Sequence, residues 1–290
     1  MGPSTTIDDT GLADAVWAAP VPAPLVGIVS SVIGYQQTGG SPRLHRGMPS
    51  GSMTIIVNVG DAVRVRSGVG GTAGQHTFDT TIAGLHTAPA LIEDPGTQIG
   101  VSIGLHPAGV RALLAAPAAA LAGEAVELDD MFGPDGRHLW EAVQEPGSVA
   151  DRTLRCLAWL TARLDDRPAV IAPEVRRAWS VLEASDGRAR IDDVAADVGW
   201  SRQHLRRRFR AEFGLNPKET ARILRFHATV QRLRDRPDGS LSAIAVDCGY
   251  ADQAHLSNEW AQLAGCSPTT WIATELVPNV QDGDEIPSGD

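Results

Sequence analysis

The segment SRQHLRRRFRAEF, residues 201–213, sets five arginines beside a glutamine. These side chains suit nucleic acid. A guanidinium bonds bidentately to guanine O6 and N7, a glutamine amide bonds to adenine N6 and N7, and the cations also pair with phosphate. The spacing suits a helix. Leu205 and Phe209 stand one turn apart and face a core. Arg202, Gln203, Arg206 and Arg207 lie in the N-terminal half, the part of a reading helix that enters a major groove. Arg210, Lys218 and Arg222 are better placed for phosphates. The competing reading is a solvated arginine-rich helix face.

Charge along the chain favours the first reading. The 290 residues carry a formal net charge of -10, with 24 arginines and a single lysine, Lys218. Residues 1–173 hold 10 basic and 17 acidic side chains, 174–236 hold 15 and 9, and 237–290 hold none and 9. A basic block between acidic ones is the electrostatic footprint of an element that meets phosphate.

Other chemistry is weaker. His45, His76, His86 and His106 lack the HxH spacing of a metal site, so core, loop or pocket histidines are expected, with no metal and no cofactor. Cys156, Cys248 and Cys266 have no CxxC spacing, which fits a reduced, cytoplasmic protein, and the first two read as packing residues. Trp17, Trp140 and Trp159 read as core. Asp129–Asp130 and Asp192–Asp193 sit where helices should start and acids favour the dipole. No phosphate loop or nucleophile elbow is present, so no catalytic residue is assigned. The N-terminal text has no secretory leader pattern, and GVRALLAAPAAALAGEAV is interrupted by Arg111 and Pro117, which argues against a membrane span.

The elements that must position the arginines follow from periodicity. Residues 24–106 read as short Val/Ile/Thr-rich strands broken by glycine. From 107 the text turns helical. PAGVRALLAAP reads as a helix, and 149–166 places Val149, Leu154, Leu157, Leu160 and Leu164 near helical spacing. RPAVIAP (167–173) then punctuates the chain, and helical text continues to about 273. The expected class is α+β: a β-rich domain over 1–148, a helical connector over 149–173, an all-α domain over 174–273, and an acidic, disordered tail over 274–290.

The helical domain repeats itself. Ile191/Leu241, Ala195/Ala245 and Gly199/Gly249 match at an offset of 50, and His204/His255, Leu205/Leu256, Phe209/Trp260, Gly214/Gly265 and Pro217/Pro268 match at 51. Each copy is a short alanine-bearing helix, a glycine turn and a second helix with an apolar pair, which is a helix-turn-helix. Ile223, Phe226, Val230 and Leu233 mark one linker helix between the copies.

Over about 174–272 the chain resembles the DNA-binding domain of AraC/XylS-type transcriptional regulators, in both motifs, in the linker helix with Arg225 and in the closing GCSPTTW. The fragments PSGSMTIIVNVG, AGLHTAP and GVSIGLHPAGVRALLAAPAAALAGEAVELDDMFG are similar to a sensor-type domain that precedes it in some members. The resemblance implies a sequence-specific transcription regulator, of activator type, with base contacts at Gln203, Arg206 and Arg207. It implies double-stranded DNA as partner, with RNA polymerase, a small-molecule effector and a homodimer as further expectations, and no membrane. The second motif departs from the pattern, and bracing of the first motif stays open as its main role beside base reading. Family members usually place an arginine where Asn258 stands and a basic residue near Gln262, whereas here Gln253, His255 and Asn258 are left to read bases, and Asp252 and Glu259 should repel phosphate. Two alternatives stay open: control by a protein partner, or an enzyme with a DNA-binding appendage. Alkyl-transfer repair proteins of the latter kind need a reactive cysteine in the N-terminal half, and none precedes Cys156.

Overall fold

The strand-prone first third folds into two antiparallel sheets. The computed structural model describes residues 4–7, 13–38, 40–67, 76–164 and 171–275. Among these, the strands are β1 (Ser4–Ile7), β2 (Ala13–Ala18), β3 (Val29–Gln37), β4 (Arg43–Gly47), β5 (Met53–Asn58), β6 (Val63–Ser67), β7 (His76–Phe78), β8 (Thr80–Ala83), β9 (Ala90–Asp94), β10 (Gln98–Leu105) and β11 (Ala125–Val126). One sheet runs β1-β2-β3-β10-β5-β8-β11 and the other β4-β9-β6-β7. In the larger sheet Val101, Ile103 and Leu105 pair with Val57, Ile55 and Met53. These residues are buried with Ile82 in the main apolar core, and Ser102 and Gly104 between them are buried as well, so β10 is covered on both faces.

The text after 106 is helical, in shorter pieces than its composition suggests. PAGVRALLAAP forms only α1 (Arg111–Leu114), followed by a 3-10 turn at Ala118–Leu121. Ala115 adopts a left-handed conformation that ends α1, and Pro117 offers no N–H to continue it. Then come α2 (Leu128–Phe132), α3 (Pro134–Gln144) and α4 (Val149–Ala162). A capping box of Ser148 and Asp151 starts α4. Val149, Leu157 and Leu160 bury as expected, but Leu154 is exposed, and Thr153 and Cys156 take the buried positions of the turn between them. Burial pushes the Cys156 thiol up to about 12, consistent with a packing residue. The expected core tryptophans Trp17, Trp140 and Trp159 are only half-buried. Trp179, Trp260 and Trp271, all in the helical domain, are the fully buried ones.

The rest is α5 (Pro173–Ala184), α6 (Ile191–Asp197), α7 (Arg202–Phe213), α8 (Pro217–Asp235), α9 (Leu241–Asp247), α10 (Gln253–Ala264) and α11 (Pro268–Glu275). The punctuating residues 167–170 and the acidic tail from 276 lie outside the described residues. No helix among the described residues is long and apolar enough to cross a membrane.

Candidate nucleic-acid interface

Each motif is built the same way. The pairs α6/α7 and α9/α10 turn at Gly199 and Gly249, whose φ values are +69° and +80°. A polar side chain then caps the second helix. Ser201 Oγ accepts from the His204 N–H at 3.2 Å, and Asp252 Oδ1 accepts from the His255 N–H at 2.7 Å. Leu205 and Phe209 are fully buried, as are their counterparts Leu256 and Trp260. Between the units α8 begins with a capping box of Asn216 and Glu219 and buries Ile223, Phe226, Val230 and Leu233. Asp192 and Asp193 lie in the first turn of α6, and Asp129 and Asp130 in that of α2, where acids were expected.

Burying Leu205 and Phe209 leaves the opposite side of α7 to solvent. Gln203, Arg206, Arg207 and Arg210 come together there with Ser201, His204 and Ala211 around an open groove of ≈ 600 Å³. All four of these long polar side chains are exposed. On this face Arg207 leans toward His204 Nδ1 at 3.4 Å. Such a cluster offers several donors that bend to base edges and phosphates without breaking buried contacts.

The other expected contacts are placed differently. Arg202 is exposed but reaches back to α6, with Nε 3.0 Å from Asp192 Oδ1. Lys218 is exposed in the first turn of α8, apart from the groove. Arg222, expected to face phosphate, turns toward α10, where it donates to Glu259 at 3.1 Å and to Gln262 Oε1 at 2.8 Å. Glu259 is the reason. It was expected to repel DNA, yet it is buried and also receives Arg225 at 3.1 Å, so its charge is neutralised inside the α8–α10 contact. Asp252 remains exposed and acts as the cap of α10.

In the second motif the residues at the places of Gln203, Arg206, Arg207 and Arg210 are Ala254, Ser257, Asn258 and Ala261. Gln253 and Asn258 are exposed. His255 is half-exposed and engaged locally. Its ring meets Tyr250 edge-on at 5.3 Å, and its Nδ1 accepts from the Ala251 N–H at 3.3 Å. His204 meets Trp200 in the same way at 4.6 Å. The matched histidines thus brace the turn of each motif, a role the repeat alone could suggest only with the aromatic residue five places after the alanine, Trp200 or Tyr250, read as part of it. One buried carboxylate, Glu212, was missed, and another, Glu259, was misread as facing DNA. Glu212 and Glu259 both fall in the core phase of their helices, three residues after Phe209 and Leu256, and a charged residue in that phase signals a buried partner.

The four histidines of the β-rich part do not converge. His45 is buried near Glu275, His86 lies against the Gly84 carbonyl, His106 pairs with Glu183 at 3.2 Å, and His76 is exposed. Among the described residues no group of three His, Cys, Asp or Glu side chains is placed to hold a metal ion.

Residues 194–274 match a family model described as a helix-turn-helix domain, and residues 22–127 match one described as a domain of unknown function (DUF6597). No curated protein gives a significant match. Among solved structures the chain is similar to ToxT from Vibrio cholerae, at 12% identity over 83% of this chain and 97% of that one, with a TM-score of 0.46. It is also similar to an AraC-type DNA-binding domain-containing regulator from Chromobacterium violaceum, at 28% identity over 37% and 96%, TM-score 0.34. A third likeness is to the DNA-binding domain of AdpA, solved with a target DNA, at 26% identity over 36% and 92%, TM-score 0.32. Scores of this size mark only loose overall similarity, so the assignment rests on the matched domain and on the paired motifs themselves. Two helix-turn-helix units on one linking helix, carried behind a β-sheet domain, bear out the helix-turn-helix domain that the resemblance to AraC/XylS-type transcriptional regulators implied.

Proposed function

We propose that α7 reads double-stranded DNA from a major groove, with Gln203, Arg206 and Arg207 on base edges and Arg210, Lys218 and Arg202 supplying phosphate contacts. One observation carries this reading: Gln203, Arg206, Arg207 and Arg210 share an open groove that no part of the described N-terminal domain covers. The second motif makes the lighter contact through Gln253 and Asn258, since α10 has no cation and its outward positions are small. Arg222 belongs to the frame that holds α10 in place. The N-terminal domain senses an effector or mediates a homodimer, and recruitment of RNA polymerase follows from regulator function. Sedimentation of the free protein and of its DNA complex checks the homodimer.

Arg206→Ala and Arg207→Ala should each cost roughly 1–3 kcal/mol at a cognate site and relax preference at particular base pairs. Binding titrations on cognate and scrambled duplexes read both effects. Folded variants that keep the wild-type ratio of the two affinities would remove α7 from the reading role.

A further inference from the structure

The N-terminal domain and the helical domain meet through ion pairs of one polarity. In the pairs formed by described residues, the N-terminal side supplies the base and the C-terminal side the carboxylate. His106, just after β10, meets Glu183 of α5; Arg111 of α1 meets Glu212 of α7; Arg46 of β4 meets Glu275 at the end of α11. For the first two pairs net charge runs the other way, since residues 1–173 have an excess of acids and 174–236 an excess of bases, while Glu275 lies in the acidic segment 237–290. The junction is therefore a specific arrangement and not a by-product of overall attraction.

The Arg111–Glu212 pair is the most telling. Glu212 sits on α7 itself, on the side turned away from Arg207, and is buried. Arg111 grips it with two parallel bonds, Nε to Oε1 at 2.7 Å and the terminal nitrogen to Oε2 at 2.8 Å. Such a fork fixes orientation as well as distance. Beside it the turn at Ala118–Leu121 closes on the C-terminal end of α7, where Gly214 lies against Ala119 and Ala122. A Cβ on Gly214 would lie 2.1 Å from the Ala122 Cβ, so the approach depends on glycine there. Trp179 fills the space between, 4.5 Å from the Phe213 ring and 6.1 Å from that of His106. One continuous apolar core joins Met53, Ile55 and Leu105 of the sheet to Leu205, Phe209 and Phe213 of α7. The second motif has a separate core around Phe226, Leu256, Trp260 and Trp271.

We propose that the N-terminal domain governs DNA binding by holding α7 from its buried face, with Arg111 and the 118–122 turn as the grip. This rests on the reading of α7 given above. The docked arrangement is the binding-competent one, because the groove of Gln203, Arg206, Arg207 and Arg210 stays open while the opposite face is held. The gripping segment continues directly from β10, the strand between β3 and β5 in the larger sheet. A change in that sheet thus has a short covalent path to the pose of α7. Arg111 and Glu212 are positioning residues: neither faces the groove.

The test uses the full-length protein on a duplex selected from random sequence. Arg111→Ala and Glu212→Gln should each lower affinity for it on the order of tenfold, the size expected when a coupled site is disturbed. The slope of log K against log [salt] should stay at the wild-type value, because no phosphate contact is lost. The exchange R111E with E212R should recover most of the affinity. Glu212→Gln keeps the side-chain shape and carries the test if Arg111→Ala does not fold. Folded variants with wild-type affinity, variants that bind more tightly, or an exchange no better than the single changes would each overturn the grip. A wild-type protein that selects no sequence at all would instead remove the reading of α7.

Discussion

Asp94 shows how a single side chain in this chain carries more than its sequence position announces. It is buried at the end of β9, where burial raises its pKa, but the Gly96 N–H, the Gln98 amide and Arg43 outweigh this and hold it below the ordinary aspartate value. A carboxyl with a depressed folded-state pKa stabilises the fold fully above its unfolded value of about 3.9, and that contribution is lost as pH falls through the folded pKa. Asp94→Asn should therefore lower stability at neutral pH and flatten the loss below about pH 4. Urea unfolding at pH 7 and pH 3 measures both, and a variant with the wild-type pH profile would contradict the assignment. The residues with outward-facing chemistry, Gln203, Arg206, Arg207 and Arg210, were legible because their types and spacing are informative without a partner. Glu212, Glu259 and Glu275 were not, because a buried carboxylate is defined by an arginine 34 to 229 positions away, which only the fold brings near.

At the scale of elements the repeat was the strongest signal. Small residues, a glycine turn and an apolar pair recur at offsets of 50 and 51, and the structure places a helix-turn-helix at each copy. Segments governed by one-sided contacts were harder. The alanine-rich stretch after 107 has strong helix formers, yet a left-handed Ala115 and Pro117 break it so that it can reach α7. Leu154 fits the helical stripe of α4 by spacing but falls just off the buried arc that Thr153 and Cys156 occupy. The glycines separate turn geometry from packing. Gly199 has φ +69° and nothing within 4 Å of a Cβ position, while Gly214 has φ +77° and Ala122 against it. Gly199→Ala should cost about 1–2 kcal/mol, the left-handed penalty alone. Gly214→Ala should cost roughly 1–3 kcal/mol more, because the 118–122 turn must also move. Denaturant unfolding of the two variants compares them directly, and equal losses would mean that the turn yields freely.

Over the whole molecule, the chain divides functionally in a way its domains do not announce. The basic motif shares a core with the β-sheet domain, whereas the motif without cations keeps a core of its own and is tied on by Arg222, Arg225 and Arg46 through carboxylates. In the proposed function, two motifs on one linking helix would address successive major grooves, about 34 Å apart along the duplex. The unequal charges then require unequal reading. The most direct measurement is a binding profile of the wild-type protein on one operator in which every base pair has been replaced in turn. Sequence restriction should concentrate in the half that faces Gln203, Arg206 and Arg207, with the other half tolerant of change. Equal restriction in the two halves, or more in the half that faces Gln253, His255 and Asn258, would contradict α7 as the principal reader.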